Sequence, residues 1–293
     1  MLVPSTQSAI EAALLEKQQQ PTQIVEAQYL HGGDINEVLL LTTNRGQLVA
    51  KLKSHCRFSD FFEAEAKGLE LLAEPRVLRI PEVIATGWDN TTAFLLLEYL
   101  PTGTRQPDFW KTFGRSLARL HRTTNERFGL DHNNYIGPLE QHNNWHHSWT
   151  DFFVTQRMEP QCRYGREGGW LSSHFNHQME RLFHRIDQLF PEEPPALLHG
   201  DLWNGNYLVG PNNEPCLIDP AVYFGHREID LGMMQLFGGF QATMYDTYSE
   251  EYPLASDWRE RIPIAQLYPL MVHANLFGGG YGAQVQSIVK RFV

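Results

Sequence analysis

Asp201, Asn206 and Asp219 are the residues of this chain whose types and spacing suit chemistry on a phosphate. They stand in His199-Gly200-Asp201-Leu202-Trp203-Asn204-Gly205-Asn206 and in Ile218-Asp219-Pro220. Two carboxylates and an amide oxygen make an all-oxygen donor set, which suits Mg²⁺ shared with a substrate phosphate. A carboxylate five residues before the amide could also accept a hydroxyl proton as attack begins. Any one of these residues could equally be a cap or a turn. The joint pattern argues for function. Gly200 and Gly205 permit backbone conformations and close approaches that a Cβ would block.

Phosphate chemistry also needs cationic help. Lys51 lies in the strand-like run Leu48-Val49-Ala50-Lys51-Leu52. A lone strand lysine is ordinarily solvated, but Glu65 on the following helical stretch is a candidate partner to fix its ammonium toward phosphates. Glu63 competes for that role. Glu65 stands four residues before Leu69 and shares its face, which favours it. The turn Gly32-Gly33-Asp34-Ile35-Asn36 precedes a strand and could fold over phosphates with backbone N–H groups. Taken alone, a double glycine is also an ordinary hairpin turn. The chain has no G-x-x-x-x-G-K-[ST] and no G-x-G-x-x-G, which excludes a P-loop and leaves a dinucleotide fold unsupported. His146-His147 and His174-x-x-His177 lack a matched third ligand and read as surface histidines.

These residues must be positioned by two kinds of structure. Ser5 to Lys17 has a helical pattern, with Ser5 as the expected N-cap. Ile24–Leu30, Glu37–Thr43 and Gln47–Lys53 alternate like strands, separated by turn chemistry. A helix is expected over Asp60–Ala73, and strands near Val83–Gly87 and Thr92–Glu98. Beyond Pro101 the pattern turns helical, over Phe109–Arg122, Trp149–Gln161, Ser173–Phe190 and from Ile229 onward. Residues 123–150 read as irregular. Between the helices, Tyr207-Leu208-Val209 and Cys216-Leu217-Ile218 flank Gly210-Pro211-Asn212-Asn213, a hairpin signal that pairs Tyr207 roughly with Ile218. Asn206 and Asp219 then stand at its open end, and Asp201 in the loop before it.

Composition excludes other classes. The 293 residues suggest two lobes rather than one small module. With 24 basic against 34 acidic residues the net charge is −10, which argues against a nucleic-acid-coating surface. Any bound polyphosphate must therefore be met locally by Lys51, backbone N–H groups and Mg²⁺. Cys56, Cys162 and Cys216 are dispersed, with no C-x-x-C, and fit reduced thiols in a cytoplasmic enzyme. No secretory signal is expected over Met1–Gln20 and no membrane helix anywhere.

The strand lysine, helix glutamate, the run Leu97-Glu98-Tyr99-Leu100, and D-x-x-x-x-N followed by D together resemble the protein-kinase-like fold of aminoglycoside phosphotransferases. The resemblance is closer to the fructosamine-3-kinase (ketosamine-3-kinase) family. It is carried by L-L-H-G-D-L-W-N-G-N (197–206), I-D-P-A-V-Y-F-G-H-R-E-I-D-L (218–231), F-F-V-T-Q-R-M-E-P-Q (152–161) and N-L-F-G-G-G-Y (275–281), and runs over nearly the whole chain. It implies an α+β, bilobal fold. A small antiparallel-sheet N-lobe would span 1–100. A larger, mainly helical C-lobe, carrying the catalytic loop and metal-binding hairpin, would span 101–293.

The same resemblance implies the roles. Asp201 would be the catalytic base, and Asn206 and Asp219 would hold Mg²⁺ on ATP. Lys51 would contact the α- and β-phosphates, with Glu65 holding it and the turn at Gly32, Gly33 and Asn36 above them. Glu98, Tyr99 and Leu100 would form the hinge that reads adenine, and Trp203 would line the sugar-amine pocket. Arg227 and Asp230 would brace the catalytic loop, and Gly278–Gly282 would permit close helix packing. Some members carry a cysteine in the glycine-rich turn; this chain has Asp34-Ile35 there, which argues against redox control through that loop.

The implied activity is ATP-dependent phosphorylation of a ketosamine 3-hydroxyl, serving deglycation. The alternatives are an aminoglycoside- or choline-type kinase of the same fold, and a nucleotide-binding pseudokinase scaffold. The presence of Lys51, Asp201, Asn206 and Asp219 weighs against the scaffold. The oligomeric state is not readable from the sequence.

Overall fold

A computed structural model describes residues 2–30, 37–54 and 60–293. The chain begins with helix α1 (Pro4–Gln18), strands β1 (Ile24–Tyr29), β2 (Glu37–Thr43) and β3 (Gly46–Ser54), helix α2 (Phe61–Ala73), and strands β4 (Val83–Trp88) and β5 (Thr92–Glu98). The strands form one antiparallel sheet in the order β1-β2-β3-β5-β4. This is the expected five-stranded sheet with one inserted helix.

Pro4 opens α1, where its missing N–H costs nothing, and Val3 is the cap position. Ser5 is therefore inside the helix rather than its N-cap. Its hydroxyl and that of Thr6 instead donate to Asp89 in the β4–β5 turn, 3.0 Å away for Ser5. The other oxygen of Asp89 accepts the amides of Thr91 (3.0 Å) and Thr92 (2.8 Å). One carboxylate thus ties the N-terminal helix to the sheet.

Ile10 and Leu14 of α1 pack on Leu39, Leu41, Leu48, Ala50, Leu52, Phe94 and Leu96. Alternate strand residues face opposite ways, so Lys51 points away from that layer. Helix α2 packs against β4 and β5. Leu95 and Leu97, like their alternating neighbours in β5, are buried. Burial on both faces of β5 explains why its apolar run does not alternate.

The rest of the chain forms α3 (Phe109–Leu120), β6 (Asn134–Ile136), β7 (Leu139–Gln141) and α4 (Trp149–Phe152). A π-helical segment (Phe153–Met158) continues α4 into α5 (Glu159–Glu167). Next come α6 (Ser173–Phe183), α7 (Ile186–Leu189), β8 (Ala196–Leu198), β9 (Tyr207–Val209), β10 (Pro215–Leu217) and β11 (Tyr223–Gly225). Helices α8 (Glu228–Phe237), α9 (Ala242–Glu251), α10 (Trp258–Ala265), α11 (Leu267–Phe277) and α12 (Tyr281–Phe292) complete it.

The chain divides into two compact units: Met1–Phe109 with Tyr207–Pro220, and Trp110–Asn206 with Ala221–Val293. The division falls after residue 100, and the β9–β10 hairpin joins the sheet-bearing unit rather than the helical one. Backbone bonds explain this: Gly103 N donates to Val209 O (2.8 Å), and Leu217 N to Arg79 O (2.9 Å).

Several local expectations change. The hairpin register pairs Tyr207 with Leu217, one residue from the expected Ile218. Residues 123–150 contain the β6–β7 hairpin, and the expected helix over 173–190 breaks at His184–Arg185. Gly278 and Gly279 adopt φ of 64° and 63° in the turn between α11 and α12, and a Cβ at either would meet nothing within 4 Å. Those two make a turn, whereas Gly282 in α12 does pack closely, a Cβ there lying 3.1 Å from the Trp170 ring. Cys56 lies outside the described residues. Cys162 and Cys216 are buried thiols pushed up to about 12 by burial, which keeps them unreactive.

Burial works against the Asp89 carboxylate, but the Thr6 hydroxyl and the amides of Thr91 and Thr92 hold its pKa below the usual range. A lowered folded-state pKa adds stability that is full above the unfolded value near about 4 and fades as pH falls below it. We expect Asp89→Asn to cost about 1–3 kcal/mol at neutral pH. The gap between wild-type and variant melting temperatures should narrow progressively as pH falls below about 4; a gap independent of pH would contradict the assignment.

Candidate active site

The sheet-bearing unit brings Lys51, Glu65 and Asp219 together. Lys51 is central in β3, between β2 and β5, with Leu95 as its β5 partner. Its Nζ donates to Glu65 Oε1 at 2.5 Å and to Asp219 Oδ1 at 3.1 Å. Glu65, not Glu63, is thus the partner, because α2 turns that face toward the sheet. Burial alone would discharge the ammonium, but Asp219 and Glu65 reverse this and hold Lys51 above the usual lysine range. The same burial pushes the Glu65 carboxyl upward against the pull of Lys51. One ammonium between two carboxylates keeps the lysine charged at neutral pH.

Asp219 follows β10 with φ of 56°, a left-handed conformation that is uncommon outside glycine and tolerated best by Asp and Asn. Glu98, at the end of β5, accepts from the Arg79 guanidinium and from Glu82 N (3.2 Å). Leu100 is buried and Tyr99 half-buried. Gly32, Gly33 and Asn36 lie outside the described residues.

The helical unit brings Asp201 and Asn206 together. The Asn206 amide donates to the Asp201 backbone carbonyl (2.8 Å) and to its Oδ2 (3.1 Å). Upstream, Gly200 has φ of +83°, and a Cβ there would lie 2.0 Å from Ala221 O, so only glycine fits. β8 pairs with β11, which carries residues 196–198 to the start of this loop.

Asp230, in the first turn of α8, accepts the amides of His199 (2.8 Å) and Gly200 (2.9 Å). It is fully buried. Burial opposes its charge, but the neighbouring His121 and the loop amides hold its carboxyl below the usual range. Asp230 therefore braces the loop as expected. Arg227 does not: its guanidinium grips Glu193 through two 2.7 Å bonds and donates to Tyr252 O and Pro253 O. It is off the α8 face that meets the loop. Trp203 lies over Gly205 and meets the Phe237 ring at 6.1 Å.

Some supporting residues carry no signal in the sequence. His121 sits between Tyr248 Oη (2.8 Å) and Asp230 Oδ2 (3.2 Å), fully buried. Gln141 donates to Ala221 O and Asn134 to Val222 O, tying the β6–β7 hairpin to the segment after Asp219. Arg157, on the π-helical segment, is buried with its guanidinium 4.0 Å from the Tyr223 ring. Its surroundings come from distant chain, so the only local signal was that segment 152–161 belonged to the resemblance. His146 and His177 contact Thr155 and Glu180.

A five-stranded antiparallel sheet with one helix, followed by a mainly helical remainder carrying the Asp201 loop, is a kinase-like α+β fold. The chain belongs to the fructosamine kinase family, which it matches over residues 6–293. It is 37% identical over 277 residues to a protein of Lactiplantibacillus plantarum named a probable ketoamine kinase, covering 92% of this chain and 95% of that one. Two solved structures, each provisionally named a fructosamine-3-kinase, are similar throughout. The one from Haemophilus somnus has a TM-score of 0.89 at 27% identity, covering 98% of this chain and 97% of the other. The one from Thermobifida fusca has 0.85 at 33%, covering 96% and 97%. Family membership makes the chain a kinase, an ATP-dependent phosphotransferase. Among the described residues no helix is long and apolar enough to cross a membrane.

Asp230→Ala would leave two buried amides without their acceptor. The expected loss is about 3–5 kcal/mol in urea unfolding; a loss under about 1 kcal/mol would mean that the loop is held by something else.

Proposed function

We propose that this kinase transfers the γ-phosphoryl of ATP to the 3-hydroxyl of a ketosamine, the sugar adduct of an amine, and so serves deglycation. The family match supports this acceptor class. The observation that carries the chemistry is the Asp201 loop, fixed from one side by Asp230 and from the other by Asn206. A carboxylate so held needs little rearrangement to orient a hydroxyl and take its proton during in-line attack.

Lys51 is read as the contact to the α- and β-phosphates, with Glu65 keeping its ammonium in place. The hinge at Glu98–Leu100 offers backbone groups to adenine, and Trp203 lines the acceptor side. The glycine-rich turn at Gly32, Gly33 and Asn36 keeps its assignment over the phosphates. The donor types suit Mg²⁺, Asn206 being read as the amide-oxygen ligand and Asp219 as the carboxylate ligand. Mg²⁺ held there would neutralise charge on the phosphates. The net charge of −10 is compatible with a cationic amine substrate, although at physiological salt only charges within about 8 Å act strongly.

An acceptor panel tests the reading. ATP turnover is expected with fructose- or ribulose-lysine and not with aminoglycosides or choline; the reverse pattern would overturn it. Asp201→Asn should lower kcat about 10²–10⁴-fold with little change in KM. Phosphoryl transfer equal to wild type would remove Asp201 from the role of base. Lys51→Met should weaken kcat/KM for ATP about 10- to 100-fold, the worth of a charged hydrogen bond. An unchanged value would place the phosphates elsewhere.

A further inference from the structure

The helical unit holds an open cavity of about 390 Å³ that none of the residues assigned above lines. That volume lies within the range of small-ligand pockets, roughly 300–1,000 Å³. Phe240, Tyr245 and Trp258 form aromatic walls, and Gln235, Asp246 and Arg259 supply the polar groups. Tyr245 and Trp258 are stacked, with centroids 6.4 Å apart and planes at 28°. The Arg259 guanidinium lies 4.6 Å from the Trp258 ring centroid. Burial pushes the Tyr245 hydroxyl upward, so it stays a neutral donor.

The cavity is coupled to the catalytic loop by the chain that lines it. Gln235, Gly238 and Phe240 face the cavity. Between them, Phe237 meets Trp203, and Gly239 (φ +89°) comes so close to Asn204 that a Cβ would lie 2.5 Å from it. One short segment therefore touches both the loop that carries Asp201 and the cavity.

The polar groups select the ligand class. A phosphate site would not place a carboxylate on its wall, and a simple cation site would not place a guanidinium there. A carboxylate and a guanidinium in one aromatic-walled cavity match a ligand with both charges. We propose that this cavity binds the α-amino-acid end of the ketosamine's amine, Asp246 pairing with the α-ammonium and Arg259 with the α-carboxylate. Phe240 and Tyr245 pack on the aliphatic stem, and Trp258 backs the Arg259 guanidinium. This deepens the ketosamine reading and rests on it. It makes the preferred substrate a glycated free amino acid, because a residue inside a polypeptide has neither charge at its α-carbon.

The test compares kcat/KM for one sugar attached to the Nε of lysine and to the Nε of Nα-acetyl-lysine amide. The free form should be favoured about tenfold or more, and Asp246→Asn and Arg259→Gln should each cut that ratio. Equal values for both adducts, or a ratio that neither substitution changes, would overturn the proposal. Calorimetry with lysine itself gives a readout free of catalysis. Wild type should bind lysine, and both variants should bind it at least about tenfold more weakly; no binding to wild type overturns the proposal. Should neither adduct be phosphorylated, the ketosamine reading fails, and lysine binding alone decides the cavity.

Discussion

In the helical unit, the loop that carries Asp201 depends on one buried carboxylate. Asp230 has no exposure and accepts two consecutive backbone amides from the turn before Asp201. Such a charge is tolerable in the interior only when its partners are complete. His121 and, behind it, Tyr248 complete them. The arrangement converts the identity of one side chain on α8 into the backbone geometry of a loop some 30 residues away in sequence. Gly200 is the matching concession, since its positive φ and its approach to Ala221 leave no room for a side chain.

The sheet-bearing unit solves a related problem. A lysine in a central strand would normally be a liability, because its neighbours on the same strand are buried against α1. Covering the opposite face with α2 makes room for Glu65 to meet the ammonium. Asp219, delivered by the β9–β10 hairpin, meets it as well. Lys51 can therefore be both buried and charged.

Much of this was legible in the sequence where the cause is local. Alternation and turn residues revealed β2 and β3, and the H-G-D and I-D-P runs marked the polar loop. Helical phase favoured Glu65 over Glu63, and the ion pair with Lys51 decides between them. What was not legible depends on distant chain. His121 is 109 residues from Asp230 and reads locally as one more polar residue at a helix end. Arg227 and Asp230 look alike as charged residues at the start of α8, yet only the three-dimensional packing sends one to the loop and the other to Glu193. The one-residue register difference in the hairpin has the same origin, because Arg79 and Gly103 bond to its edges and choose the pairing.

The sheet-bearing unit is built from two separate stretches of chain, the second being Tyr207–Pro220. Its central lysine meets a partner 168 residues away. During synthesis, the sheet must therefore wait with a buried cation half-neutralised until more than two-thirds of the polypeptide has emerged. Contacts of such long range are slow to close, and folding rates fall as they accumulate. The interrupted unit thus makes assembly of the charged centre a late event. The hairpin acts as the closing stitch that commits both parts of the chain to one folded state.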